Sequence, residues 1–196
     1  MTGESAPRGP EAAGTVTDKD KDDNSAGKDQ DKRERTRQML RERLRRYLEL
    51  EAERGPEEAR EVLLDGYPQR QAARMGPLIS SCSLAEGFGK ALPLFEAMGF
   101  LEEAVDISTE REDVVMEVCR TCMCLAAARE LGTEPRPVLC ELDFEATRRA
   151  FPEMSAESLR RQTDGHHVCV FRYARPREDR ASPAYTGPDA GADGSG

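Results

Sequence analysis

The two ends of the chain contain almost nothing that a folded core could bury. Residues 1–34 have Met1, Val16 and a few alanines as their only apolar side chains, and residues 176–196 consist mainly of proline, glycine, alanine, aspartate and serine. Segments of this composition cannot bury enough apolar surface to offset the entropy lost on ordering. We therefore predict disordered tails at 1–34 and 176–196 around a single domain at 35–175, about 140 residues long and sufficient for one core.

The overall composition restricts the class of protein. The 196 residues carry a formal net charge of −9, and 34% of them are charged whereas only 37% are hydrophobic. No stretch approaches the roughly 20 apolar residues of a membrane-spanning helix, and the N-terminus lacks the apolar run of a signal peptide. We therefore expect a soluble cytoplasmic protein with no membrane partner. The acidic balance also argues against a nucleic-acid partner, because phosphate binding requires a positively charged face.

One local segment is basic. Residues 33–46 contain seven arginines and two glutamates, and Leu40, Leu44 and Leu48 recur there at helical spacing. This pattern predicts an amphipathic helix with an arginine-rich face. Such a helix can pack on the core with its arginines in solvent, or it can contact RNA or DNA. We favour packing, because no aromatic residues interleave the arginines as they do in many nucleic-acid-binding surfaces.

The rest of the domain alternates between helical and strand-like patterns. The spacing predicts helices over 56–66, 79–98, 122–131 and 140–151, and Pro93 should kink or divide the second of them. Strands are predicted over 104–108, 114–119, 158–163 and 168–173. In the first pair, apolar residues alternate with polar ones, which indicates one buried and one wet face. In the second, Asp164-Gly165 is a strong signal for a tight turn.

This order of elements predicts the fold class. Helices alternate with hairpins, and no regular strand-helix-strand crossovers are present, so a parallel sheet is disfavoured. We expect an α+β domain with N-terminal helices and a small antiparallel sheet of about four strands.

Six cysteines lie inside the predicted domain, at 82, 119, 122, 124, 140 and 169. In a reducing cytosol they are expected to be thiols, metal ligands or catalysts rather than disulfides. The Cys119-x-x-Cys122 spacing is that of a zinc or iron–sulfur ligand pair, and Cys140 and Cys169 can complete four ligands if the fold brings them together. A zinc ion or an iron–sulfur cluster is therefore one interpretation of these sulfurs.

Cys140 and Asp143 suggest a second interpretation. Three residues apart on a helix, they share one face, where a thiolate nucleophile and a carboxyl group that transfers a proton can act on one substrate carbon. Cys140 also lies near the predicted helix N-terminus, whose partial positive charge favours a thiolate. The alternative is a cysteine packed in the core beside an aspartate that only complements the helix dipole.

Polar residues of the last hairpin can complete such a site. His167 follows the predicted turn and is a candidate general base, although exposed turn histidines are common. Arg161 and Arg172 lie on the two arms, where a guanidinium can bind a substrate carboxylate, and Thr163 lies beside the turn. Each of these residues can equally be an ordinary surface or strand residue.

The cysteine-containing half of the chain has a series of short motifs. They are Cys119 with Cys122-Met-Cys124, Arg-Glu-Leu-Gly at 129–132, Cys140-Glu-Leu-Asp143-Phe144, Arg161-Gln-Thr163 with Gly165, and Cys169-Val-Phe171-Arg172. In these motifs the chain resembles the L-2-amino-thiazoline-4-carboxylic acid hydrolase-like family and, more distantly, the vinyl-reductase-type small-molecule-binding domain. The chain departs from the family skeleton at Arg120, where proline usually follows the first cysteine, and in two additional cysteines beside it.

The resemblance implies a small hydrolase. We expect it to need no cofactor and to cleave a C–N or C–S bond in a cysteine-derived or amidine-containing metabolite, such as a small cyclic amidine, within specialised biosynthesis. In this hypothesis Cys140 attacks the electrophilic carbon, Asp143 transfers the proton and Arg161 holds a substrate carboxylate. The alternative is a non-catalytic domain that senses a small molecule or carries a cysteine-ligated metal.

Overall fold

The computed structural model describes residues 18–177, with side chains from residue 27 onward. The outer parts of the two predicted tails, 1–17 and 178–196, lie outside the described residues. The predicted N-terminal domain boundary at residue 35 falls inside the first helix, which begins at Asp18.

The fold is α+β, as the order of elements predicted. Residues 18–177 form six helices: α1 (Asp18–Arg54), α2 (Pro56–Leu64), α3 (Tyr67–Ile79), α4 (Leu84–Ala97), α5 (Met123–Glu130) and α6 (Val138–Ala150). The same residues form four strands: β1 (Glu102–Asp106), β2 (Glu112–Cys119), β3 (Ser155–Arg160) and β4 (Cys169–Pro176). A 3-10 turn, Gln162–Asp164, lies between the last two strands.

The sheet joins two antiparallel pairs through its central strands. Its strand order is β1-β2-β4-β3, and all neighbouring strands are antiparallel. In the central pair Glu117 lies opposite Phe171, and Cys119 lies opposite Cys169. Helices α4 and α6 contact the sheet, and α3 packs against both of these helices. The helices therefore form a layer over one face of the sheet.

The arginine-rich segment lies within α1 and packs on this layer. Leu44, Tyr47 and Leu50 are almost completely buried, together with Leu40 one turn earlier. Their buried cluster includes residues of α2, α5 and α6. The predicted apolar stripe is therefore part of the core.

Two helical predictions need correction. Helix α3 was not predicted, and Ile79, the expected start of the next helix, is its last residue. Helix α4 begins instead at Leu84, because the Ser83 side chain accepts a hydrogen bond from the backbone N–H of Glu86 and so caps the helix. The helix also continues through Pro93 to Ala97 as a single element.

The last hairpin has a longer connection than the Asp-Gly signal suggested. Strand β3 ends at Arg160 and β4 begins only at Cys169. Gly165 has φ of +89° and terminates the 3-10 turn. A glycine adopts this left-handed conformation without steric cost, so it ends a helical turn here rather than forming a two-residue hairpin loop.

In the β1-β2 hairpin, some apolar side chains are exposed and a glutamate is buried, contrary to the predicted alternation. Val105 is 38% exposed and Ile107 is 40% exposed, whereas Glu117 is only 5% exposed. The side of β2 that faces the helices carries Val115, Glu117 and Cys119, opposite Tyr173, Phe171 and Cys169 of β4. A carboxyl group thus occupies a position that the apolar alternation assigned to solvent.

Gly87 of α4 fills a position with no room for a side chain. A Cβ atom built on it would lie 2.7 Å from the carbonyl oxygen of Leu78 and 2.7 Å from Cγ2 of Ile79, whereas nothing lies within 4 Å of one built on Gly89. We expect Gly87→Ala to destabilise the domain by about 1–3 kcal/mol through overpacking. Gly89→Ala should stabilise it by up to about 1 kcal/mol through helix propensity. Urea unfolding midpoints of the two variants should therefore shift in opposite directions, and parallel shifts would contradict the packing argument.

Candidate functional site

A cavity of about 180 Å³ lies between the helices and the inner face of the sheet. Its walls are mostly apolar, with several phenylalanine and methionine side chains. For comparison, an apolar cavity of roughly 150 Å³ accommodates a benzene-sized molecule. Polar groups from several elements converge on the cavity, among them Arg43, Tyr67, Arg74, Glu102, Glu117, Cys140 and Asp143. This combination of an apolar cavity and a few polar groups is typical of a small-molecule site.

Helix α6 brings Cys140 and Asp143 to the cavity, one turn apart, as their spacing predicted. Cys140 is the third residue of the helix. The hydroxyl group of Tyr67 donates a short hydrogen bond to Oδ1 of Asp143. Burial raises the pKa of Tyr67 well above its ordinary value, and the negative charge of Asp143 raises it further. The phenol therefore remains protonated at neutral pH and holds one oxygen of Asp143 in place.

Two glutamates extend from the sheet toward the same cavity. Glu102 lies opposite Cys119, and Glu117 lies opposite Ala104, so both side chains are on the inner face of the β1-β2 pair. Burial raises the pKa of both carboxyl groups, that of Glu117 well above its ordinary value. The Glu102 carboxyl raises the pKa of Glu117 further, whereas its hydrogen bond with Glu117 lowers the pKa of Glu102. Within residues 27–177, neither forms an ion pair with a basic side chain. The two glutamates thus place acidic groups in the cavity, and the positive charge of Arg74 acts on Glu102 without a direct ion pair.

This placement makes stability depend on pH. An unfolded glutamate has a pKa of about 4.3, and the folded state retains the proton on Glu117 to higher pH. The folded state therefore binds more protons, and its stability falls as pH rises above about 4.3 until the folded-state pKa is passed. For one proton the slope is at most about 1.4 kcal/mol per pH unit. We expect Glu117→Gln to flatten the dependence and to raise stability at pH 8.

Melting curves between pH 4.5 and pH 8 provide the measurement. The exposed Glu110, in the turn between β1 and β2, offers a matched control. Glu110→Gln should retain the slope of the parent protein. An unchanged slope in Glu117→Gln would show that this carboxyl group ionises as readily in the folded as in the unfolded chain.

Two arginines also line the cavity. The guanidinium of Arg43 stacks on the ring of Tyr67 at 4.0 Å and donates to the carbonyl oxygen of Leu63 at 3.2 Å. Arg74 donates to the side-chain oxygen of Gln71, but its buried Nε has no hydrogen-bond partner among residues 27–177. A buried N–H group without a partner is costly and can be satisfied by a ligand. Arg74 is thus the better candidate for binding a substrate carboxylate.

The residues predicted in the last hairpin do not line the cavity. Arg161 donates to Oγ of Ser158 at 3.0 Å and lies 3.6 Å from the carboxylate of Glu141. Arg172 is paired with glutamates on the outer face of the sheet, at 2.9 and 3.1 Å. Thr163 lies in the 3-10 turn, and His167 is exposed in the loop before β4. Strand alternation and the long connection separate these side chains from Cys140.

Four of the six thiols affect one another's pKa. Cys124, which lines the cavity, and Cys169 of β4 lower the pKa of Cys122, whereas Cys122 and Cys140 raise the pKa of Cys124. Cys119 instead donates to the carbonyl oxygen of Thr121 at 3.0 Å, and burial raises its pKa. Within residues 27–177, no three histidine, cysteine or carboxylate side chains are grouped so as to hold a metal ion. The structure therefore does not gather the predicted set Cys119, Cys122, Cys140 and Cys169 into a metal site within these residues.

The sequence interpretation missed Tyr67, Arg74, Glu102 and Glu117. Tyr67 and Arg74 belong to the helix that was not predicted, and Tyr67 is 76 positions from its partner Asp143. Glu117 did carry a signal, because Val115, Glu117 and Cys119 form an alternating set that β4 also faces. An acidic residue within an otherwise buried set indicates a cavity or a paired charge.

Comparisons with known proteins identify no family for this chain. No protein-family model matches the chain, and none of the curated proteins matches it. In the part of the chain that the structure describes, no helix combines the length and apolarity needed to cross a bilayer.

Proposed function

We propose that the domain is a hydrolase that binds a small, amidine-containing metabolite in the cavity and cleaves one of its C–N bonds. The observation that carries this proposal is that Cys140 and Asp143, one helical turn apart, line the same cavity. The sequence resemblance to a hydrolase-like family points to the same pair. The reaction class follows from a thiol nucleophile beside a carboxyl group that can transfer a proton.

The charges around the cavity support this substrate class. An amidinium group is a planar cation, and it can form the direct ion pair that Glu102 and Glu117 do not form with any basic side chain of residues 27–177. Its binding would favour the ionised form of these carboxyl groups. The unpartnered Nε of Arg74 can bind a carboxylate at the other end of the same molecule. A metabolite with one positive and one negative group therefore matches the cavity on both sides.

The chemistry can be written from these side chains. The Sγ atom of Cys140 adds to the amidine carbon, and Asp143 accepts the thiol proton. The tetrahedral adduct then loses its amine nitrogen, which takes that proton from Asp143, and a thioimidate remains on Cys140. Water adds to this carbon, the C–S bond breaks, and the amide product and the free thiol are released. Tyr67 keeps Asp143 oriented throughout by its hydrogen bond.

Turnover measurements test the proposal. We would assay small cyclic amidines, beginning with 2-amino-thiazoline-4-carboxylic acid, for ring opening. Cys140→Ser should abolish turnover while the protein remains folded, because a hydroxyl is far less nucleophilic at neutral pH. Asp143→Asn should lower the rate by about 10²- to 10⁴-fold, the usual contribution of a general acid or base. Cys82→Ser, which changes a thiol in the turn between α3 and α4, should leave the rate unchanged.

The mostly apolar walls favour a second candidate, a domain that binds a small molecule without cleaving it. The same assay separates the two functions. Ligand-induced stabilisation with no product, unchanged in Cys140→Ser, would favour sensing and contradict the hydrolase.

A further inference from the structure

Helices α3 and α6 place three neighbouring polar side chains on the wall of the cavity. Gln71 and Arg74 are one turn apart on α3, and Thr147 lies on α6. Gln71 is 6% exposed and Thr147 is 2% exposed, and all three residues line the cavity. Buried polar groups lose their hydrogen bonds to water, so they need partners within the protein or on a ligand.

The hydrogen bonds among these side chains fix the orientation of the Gln71 amide. Arg74 donates to Oε1 of Gln71, and Nε2 of Gln71 donates to Oγ1 of Thr147 at 3.1 Å. A guanidinium group has only donors, so the amide must direct its oxygen toward Arg74 and its NH2 group toward Thr147. The Thr147 hydroxyl accepts in this bond, and its own proton can turn toward another acceptor.

This arrangement leaves three donors without an acceptor. The buried Nε of Arg74 has no hydrogen-bond partner among residues 27–177, and the guanidinium forms no ion pair with a carboxylate there. The second N–H of the Gln71 amide and the O–H of Thr147 donate to no group of the same residues. Three donors, one of them charged, therefore line the cavity beside one another.

We propose that Arg74, Gln71 and Thr147 form a subsite for a carboxylate, which deepens the proposed function and rests on it for the identity of the substrate. A carboxylate only accepts hydrogen bonds, and its two oxygens can accept from the Nε–H of Arg74, the amide of Gln71 and the hydroxyl of Thr147. The apolar walls select a compact molecule around this group. The substrate class is therefore a small carboxylic acid rather than its ester or amide.

The acidic groups of the cavity do not occupy the donors of this subsite. Asp143 accepts a hydrogen bond from the Tyr67 hydroxyl and forms no ion pair with Arg74. Burial raises the pKa of Glu102 and of Glu117, which favours their neutral forms and so limits their repulsion of a bound carboxylate. The charge of Arg74 is therefore available to a ligand.

Benzoate is a probe that tests the subsite without turnover. Its ring matches a cavity of about 180 Å³, and benzamide has the same shape with a neutral group in place of the carboxylate. Isothermal titration calorimetry on the full chain should show that benzoate binds at least about tenfold more tightly than benzamide, because its hydrogen bonds are charge-assisted. Equal affinities, or no binding of benzoate, would overturn the subsite.

Variants separate the contributions of the individual donors. Gln71→Glu keeps an oxygen for Arg74 but replaces the N–H donors by a negative charge, so the affinity for benzoate should fall by roughly tenfold or more. Gln69→Glu makes the same change at an exposed position of α3 and should alter the affinity by less than about twofold.

Thr147 gives a second, independent pair of variants. Thr147→Val removes the hydroxyl and should weaken benzoate binding by roughly fivefold, whereas Thr147→Ser retains the donor and should bind benzoate like the parent. Circular dichroism checks that each variant is folded. Parent affinity in Gln71→Glu or in Thr147→Val would contradict the assignment of that donor to the subsite.

The turnover assay distinguishes failure of the subsite from failure of the hydrolase. With 2-amino-thiazoline-4-carboxylic acid, Gln71→Glu should raise KM by roughly tenfold and change kcat by less than about twofold, because it removes binding that substrate and transition state share. An unchanged KM would overturn the subsite and leave the hydrolase in place. Selective benzoate binding without turnover would support the subsite and contradict the hydrolase.

Discussion

Deletion of residues 1–55 should abolish cooperative unfolding. This deletion removes α1 and with it the buried side chains of Leu40, Leu44, Tyr47 and Leu50. Burial of one large apolar side chain contributes about 1.5–3 kcal/mol, so four contribute roughly 6–12 kcal/mol. That sum is comparable with the whole stability of an ordinary domain, about 5–15 kcal/mol. The apolar side chains of α2, α5 and α6 that pack against α1 would then be exposed to solvent.

A shorter deletion provides the control. Removal of residues 1–32 leaves every one of these four leucine and tyrosine side chains in place, and the melting temperature should be nearly unchanged. Circular dichroism melts of the two truncated proteins make the comparison. A sharp transition in the protein that lacks residues 1–55 would mean that α1 docks on a core that is already stable.

Asp113→Ala should have the largest effect of any single substitution considered, a loss of about 3–5 kcal/mol, which is typical when one partner of a buried ion pair is removed. The Asp113 side chain is 8% exposed and lies 2.9 Å from Arg175. Both of its oxygens accept from the backbone N–H of Leu84 at 3.0 Å. Arg175 also donates to the carbonyl oxygens of Ile79 and Cys82, at 2.9 and 2.6 Å. The Asp113–Arg175 ion pair therefore links the turn between α3 and α4 to the sheet by hydrogen bonds.

Loss of the carboxylate leaves a mostly buried guanidinium without a counter-charge. Arg175→Met combined with Asp113→Ala should recover part of the stability, because it removes that orphaned charge. Glu103→Ala breaks an exposed ion pair with Arg120 and should cost less than about 1 kcal/mol. Urea denaturation of the three proteins gives these free energies. Equal losses in Asp113→Ala and Glu103→Ala would show that the buried pair has no special role.

The sequence predicted the fold better than it predicted the site. The alternation of helices and hairpins is a local property, so the four-stranded antiparallel sheet could be inferred from periodicity. Helix α3 was not predicted; it has Pro68 in its first turn, where proline is tolerated, and Pro77 inside it, where proline is unfavourable. Pairing of distant elements, such as Tyr67 with Asp143, cannot be inferred from spacing.

The same contrast explains the individual site residues. Cys140 and Asp143 lie on one helix, so their common face followed from the helical repeat. His167 follows the predicted turn and was a candidate general base, but it is exposed to solvent in the loop before β4. Glu117 was assigned to the wet face because apolar alternation ignores the possibility of a polar cavity.

The strand order has a consequence for how the domain is made. Cys119 and Cys169 are neighbours across β2 and β4, yet 50 positions of chain separate them. The outer pairs, β1-β2 and β3-β4, join strands that are close in sequence. The central pair, β2-β4, can form only after the last strand is available, and pairings between distant segments form slowly. During synthesis, Glu117 thus remains without its facing strand until almost the whole domain has left the ribosome. The cavity is therefore completed last, because a nascent chain cannot form it before β4 has been synthesised.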